Sequence, residues 1–144
     1  MNESVRHTHL SSSTPIGGES TGDSLLQRFL QYVRIETTAD DHSNAVPSTE
    51  GQRTLGRLLL EQLRDMGVSE CSQNEHGIVK AWLPSNSDRS DVATLVFNAH
   101  LDTSPEASGR EVSPQVLTYS GGDIRLANGL EITCQETPEL AALV

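Results

Sequence analysis

Large apolar side chains are almost missing from the first 22 residues and then recur at helical spacing. Leu25, Leu26, Phe29, Leu30 and Val33 lie three to four positions apart or side by side on one helical face. That pattern predicts a core-facing helix, capped at its start by Asp23 or Ser24. The stretch "IETTADDHSNAVPSTEG" is polar and reads as a loop. Helical spacing then returns, with Leu55, Leu58, Leu59, Leu63 and Met66 forming a stripe. Thr49 and Gln52 have the separation of a capping box, and Gly67 stands where a left-handed C-terminal cap is expected. Apart from Gly56, the interior of this second helix uses good helix formers.

Beyond Gly67 the period changes. "VSECSQNEHGIVKAWLP" reads as two short strands joined by a turn at Glu75, His76 and Gly77. After the polar linker "SNSDRSD", residues 92–99 are apolar almost throughout, which suits a strand covered on both faces in the middle of an α/β sheet. The remainder, "VLTYSGGDIRLANGLEITCQETPELAALV", predicts short strands around turns at Gly121-Gly122 and Asn128-Gly129, then the start of a helix at "PELAALV". Cys134 is expected as a small core residue in one of these strands. The fold class expected is α/β. Residues 1–22, rich in Ser, Thr and Gly, cannot offset the entropy of being ordered and are expected to be a disordered polar extension. Residues 23–144 are expected to carry the helices and strands, and to fold poorly or expose a large apolar patch where further strands are lacking.

Composition narrows the classes of function. The 144 residues fit one domain, with ten Lys and Arg against twenty Asp and Glu, for a net charge of -10. Basic groups are neither abundant nor clustered and only 3% of residues are aromatic, so neither counterion release nor base stacking is available, and nucleic acid is excluded as a partner. No apolar run approaches the ~20 residues needed to cross a bilayer, and the N-terminus has no apolar core of a secretory signal. Cys71 and Cys134 lie far apart outside any thiolate cluster and are expected to be reduced thiols. A cytoplasmic protein with no membrane partner follows.

Candidate chemistry concentrates where the apolar run 92–99 ends, in "AHLDTSP". Functional groups of open α/β sheets gather at the carboxyl ends of strands, and His100 occupies such a position. An imidazole ligates a metal through one nitrogen while the other is held by an acceptor. Asp102, two residues on in an extended segment, projects to the same side and is the candidate acceptor. A histidine simply hydrogen-bonded in place satisfies the same three residues, and the pattern alone leaves both readings open. A serine-type triad needs a nucleophile on a G-x-S-x-G elbow, which is absent, so Ser104 is read as a loop residue. The other histidines read as solvated: His7 and His9 on the extension, His42 in "DDH", His76 in its turn.

Several strings together carry a resemblance. "LLQRFLQYVRIETTAD", "VPSTEGQRTLGRLLLEQLRDMG", "EHGIVKAWLP", "HLDTSPEASGREVSPQVLTYSGGDI" and "TPEL" are similar, in this order, to the N-terminal portion of the peptidase T family of zinc tripeptide aminopeptidases. The resemblance covers about residues 23–144. It implies a three-layer zinc-exopeptidase-like fold with a mixed central sheet, related to carboxypeptidase and aminoacylase, of which this is the N-terminal part of the catalytic domain. It implies two zinc ions, with His100 a ligand of one and Asp102 its orienting active-site carboxylate. In such sites the metals polarise the scissile carbonyl and generate hydroxide near neutral pH, while a glutamate moves the proton. The substrate implied is a small peptide that loses its N-terminal residue, and Asp123 faces it by the same analogy, although a turn-stabilising role for this aspartate also fits.

The resemblance also predicts further ligands beyond Val144: a Gly-Ala-Asp-Asp-type segment with the bridging carboxylate, a Glu-Glu pair with the general base, another carboxylate and a late histidine. A structural zinc site of three or four protein ligands is worth an apparent ~10 to 16 kcal/mol, of which one imidazole supplies a fraction. The 144 residues alone are therefore expected to be inactive, with a missing C-terminal portion needed for activity. The alternative from another class is a non-catalytic remnant or interaction fragment of the same scaffold.

Overall fold

The computed structural model describes residues 21–143, so most of the expected extension, with His7 and His9, lies outside the described residues, as does Val144. Two compact units divide between Val112 and Ser113. The larger one carries helices α1 (Thr21–Tyr32) and α2 (Glu50–Asp65) and the strands β1 (Glu70–Gln73) and β2 (Val79–Trp82).

Helix α1 begins at Thr21, so Asp23 and Ser24 lie in its first turn instead of capping it. Side-chain hydrogen bonds tie it to α2 and to Met66 just beyond. Tyr32 donates its hydroxyl hydrogen to Gln62 Oε1, Gln62 Nε2 donates to Gln31 Oε1 at 2.8 Å, and Arg28 reaches Met66 Sδ at 3.6 Å. The expected core-facing stripe is only partly covered: Leu30 and Val33 are half-buried, whereas Leu25, Leu26 and Phe29 are exposed. An apolar helical face needs a sheet or helix to lie on, and Leu25, Leu26 and Phe29 are left uncovered.

Helix α2 follows its sequence pattern except at the start. Thr49 is the N-cap residue with extended backbone, but its side chain makes no cap; its hydroxyl donates to Thr38 O at 3.1 Å instead. Gln52 likewise turns away from a capping box, donating Nε2 to Ser48 Oγ and Thr37 O at 3.1 and 3.4 Å. Both side chains are drawn off by the 37–39 segment, whose carbonyls need donors in a buried place. The C-terminus closes as expected, with Gly67 at φ +85°, Gly67 N–H on Arg64 O, and Val68 N–H on Leu63 O. Those two bonds define a Schellman motif, and Val68 is buried beyond it.

The hairpin β1–β2 is antiparallel, pairing Glu70 with Trp82 and Gln73 with Val79. Its turn is built by Asn74, whose Oδ1 accepts from His76 N and Ile78 N at 3.1 and 2.9 Å, and by Gly77 at φ +77°. Helix α2 rests on the hairpin at Gly56. A Cβ there would stand 2.2 Å from Gln73 Nε2 and 3.2 Å from Val79 Cγ2, so the glycine lets the Gln73 amide lie against the helix. The Gln73 amide in turn donates to Arg53 O and Gly77 O at 3.2 and 3.3 Å.

Residues 92–99 depart from expectation. They form no strand, and Leu95, Val96 and Phe97 are 83%, 82% and 93% exposed. The pattern of a strand buried on both faces is a demand for two flanking strands and two covering layers. Among the described residues each sheet has only two strands, both taken up by each other, so that demand is not met. The buried apolar core is accordingly small, with Leu55 and Val68 in this unit.

The second unit holds β3 (Ile124–Arg125) and β4 (Glu131–Ile132), antiparallel, around the Asn128-Gly129 turn read from the sequence. Gly129 has φ +85°, and Asn128 Oδ1 accepts from Leu130 N at 3.1 Å. Asp123 Oδ1 accepts from Cys134 N at 2.8 Å, tying the hairpin base. Cys134 is half-buried in a turn just past β4, not in a strand. The expected terminal helix is a short 3₁₀ helix, Pro138–Leu143, with Leu140 buried.

Candidate functional site

His100 and Asp102 end the apolar run where the chain turns into the 103–109 loop. The structure brings them together. His100 Nδ1 lies 2.7 Å from the Asp102 backbone carbonyl oxygen and 3.4 Å from Asp102 Oδ1. A carbonyl oxygen can only accept, so Nδ1 carries the hydrogen, and Nε2 of the neutral ring keeps its lone pair. The orienting acceptor is therefore first the main chain of Asp102, with its carboxylate close beside. The imidazole is exposed and the carboxylate half-exposed.

The two residues line a hollow of about 350 Å³ with Pro47, Gln52, His76 and Gly77 among its other walls. His76 had the appearance of a plain turn residue, exposed and 3.7 Å from Glu75 Oε1, which it is; it also stands on the same hollow as His100. Nothing in "NEHG" signals this, because it arises from the packing of the hairpin turn. Among the described residues no three His, Cys, Asp or Glu side chains converge to hold a metal ion.

The backbone that follows Asp102 is held by residues 37–39, a stretch that reads in the sequence as polar loop. Thr38 and Thr103 form an isolated parallel bridge, with Ala39 N–H on Thr103 O at 3.0 Å and Thr103 N–H on Thr37 O at 3.2 Å. Thr37 is among the most buried polar residues described. The other candidates take structural roles. Ser104 Oγ donates to Glu106 Oε2 at 2.7 Å, and His42 N–H bonds Asp40 Oδ1 at 3.0 Å with its ring in solvent. Cys71 and Cys134 are free thiols. No helix among the described residues is long and apolar enough to cross a membrane.

Comparison with known proteins agrees with the strings quoted from the sequence. No family model matches the chain. A peptidase T of Shouchella clausii is 44% identical over 117 residues, covering 81% of this chain and 28% of its own length. Over four-fifths of its length, the chain is similar to peptidase T. The peptidase T of Geobacillus thermodenitrificans is 45% identical over 120 residues, and one from Clostridium perfringens 41% over 115. The chain spans less than a third of the length of these peptidase T relatives.

Proposed function

We propose that this chain is the N-terminal part of a peptidase T-type metallo-aminopeptidase, which removes the N-terminal residue of tripeptides in the cytoplasm, and that it contributes the His100–Asp102 end of a dinuclear zinc site. The observation that carries the reading is the hydrogen bond from His100 Nδ1 to Asp102, which leaves Nε2 free beside a hollow. The similarity to peptidase T supplies the reaction class.

His100 fits a single ligand position: its side chain is solvent-accessible and its Nδ1 is occupied by the Asp102 carbonyl. Bound zinc ions supply Lewis acidity for peptide hydrolysis near neutral pH. Asp102 holds the ring through its main-chain carbonyl at 2.7 Å, with its carboxylate 3.4 Å from the same nitrogen. The remaining ligands and the general base come from outside residues 1–144. In the complete assembly residues 92–99 form the central strand of a mixed sheet in a three-layer fold, which buries the side chains of Leu95, Val96 and Phe97.

Two measurements test this. Zinc calorimetry on the 144-residue chain should give at most one weak site that disappears in His100→Ala, with no tripeptide hydrolysis. Coexpression with the remaining length of a peptidase T relative should restore tripeptide turnover that His100→Ala abolishes. Two tight zinc sites in the chain alone, or turnover indifferent to His100, refutes the assignment. A stable metal-free complex with another protein and no turnover on complementation favours the interaction fragment.

A further inference from the structure

We propose that Thr38 is a positioning residue for His100, acting through the Asp102–Thr103 peptide. The inference rests on the reading of His100 as a metal ligand. A trans peptide is planar, with its N–H and C=O directed oppositely, so fixing one end aims the other. The Thr103 N–H is fixed on Thr37 O at 3.2 Å, and the Asp102 C=O of the same peptide receives His100 Nδ1–H at 2.7 Å. The direction of the imidazole is thus set by how firmly residues 37–39 hold residue 103.

Thr38 is the side chain that closes this hold. Its Oγ1 accepts from Gly109 N at 3.2 Å and from Thr103 Oγ1 at 3.5 Å, so one hydroxyl ties both ends of the 103–109 loop to the 37–39 segment. Its carbonyl accepts from Thr49 Oγ1 at 3.1 Å, which anchors the segment to the start of α2. The fit at Gly109 is close, since a Cβ there would lie 2.7 Å from Thr38 Oγ1. Arg110 Nε adds an ion pair to Glu36 Oε1 at 3.0 Å on the same seam. Without the hydroxyl, Gly109 N–H and Thr103 Oγ1 lose their acceptor, the loop lifts and the Asp102 carbonyl no longer faces the ring.

The test needs no metal. Long-range ¹H–¹⁵N correlation on the ¹⁵N-labelled 144-residue chain, carrying Phe97→Asp throughout to limit association and at a pH where the ring is neutral, reads the tautomer of His100, assigned with His100→Gln. The parent should show the Nδ1–H tautomer. Thr38→Val should lower the Nδ1–H to Nε2–H ratio by at least about fivefold, the worth of one hydrogen bond, and Thr38→Ser should restore it. Gly109→Ala, which displaces the same hydroxyl, should act like Thr38→Val, with far-UV circular dichroism unchanged in both. A parent-like tautomer in Thr38→Val overturns the positioning role, as does global unfolding of both variants. A parent without Nδ1–H bias instead sinks the reading of His100 itself.

Discussion

Replacing Gly51 by alanine puts two effects of opposite sign in competition. In a helix alone the change should stabilise by up to about 1 kcal/mol, because alanine loses less backbone entropy than glycine. Here the added Cβ would lie 1.6 Å from Glu36 O and 2.8 Å from Glu36 C, both main-chain atoms that cannot rotate away. Ordinary contact with an oxygen requires about 3.3 Å, so the start of α2 and the 36–39 segment must separate by roughly 1.5 Å or more. That displacement exceeds the tolerance of the bonds from Ala39 N to Thr103 O at 3.0 Å and from Thr103 N to Thr37 O at 3.2 Å. Losing both costs about 2 kcal/mol, with more if Thr37 O, buried with its residue, finds no other donor than Gln52. The expected outcome is a net loss of roughly 1 to 2 kcal/mol, or a midpoint lower by several degrees in thermal unfolding followed by circular dichroism. Hydrogen exchange should place the damage at the amides of Ala39 and Thr103, with the β1–β2 amides unchanged. A variant as stable as the parent, with the Thr103 amide equally protected, refutes the claim that α2 presses on this segment.

Three other outcomes are expected. Gly67→Ala meets no atom within 4 Å but must hold φ +85°, so it should cost about 1 kcal/mol in denaturant titration through the left-handed conformation alone; a neutral result contradicts the Schellman cap. Residues 92–99 present an unpaired apolar run, so the chain should bind hydrophobic dye and scatter light at micromolar concentration, and Phe97→Asp should lower both signals; equal signals in the variant place the sticky surface elsewhere. Partial burial pushes the Tyr32 phenol above its usual pKa, against the opposing pull of the Arg28 guanidinium, so the phenol stays neutral in the fold while it ionises in the unfolded chain. Stability should therefore fall as pH rises from about 10 through the folded value, and the gap between the parent and Tyr32→Phe in denaturation midpoint should narrow there; a constant gap across that range rules the Tyr32–Gln62 contact out as its source.

The sequence by itself determined the features whose causes are local. Helix α2 ends at Gly67 and the hairpin turns at Asn74 and Gly77, because a positive φ and a side chain that bonds its own turn are properties of a few consecutive residues. The nearness of His100 and Asp102 is local as well, since residues two positions apart on extended backbone project to the same side, while the aim of the ring depends on what holds the Asp102–Thr103 peptide. Tertiary structure decided everything that needs a distant partner. It took Thr49 and Gln52 from their capping box to serve buried carbonyls of residues 37 and 38, and it set His76 on the hollow beside His100. It also joined Thr38 to Thr103, 65 residues away, in a bridge that no local pattern announces. The apolar run 92–99 marks the boundary between the two: its composition states what it requires, while burial depends on neighbours that must come from elsewhere, since no segment can cover its own two faces.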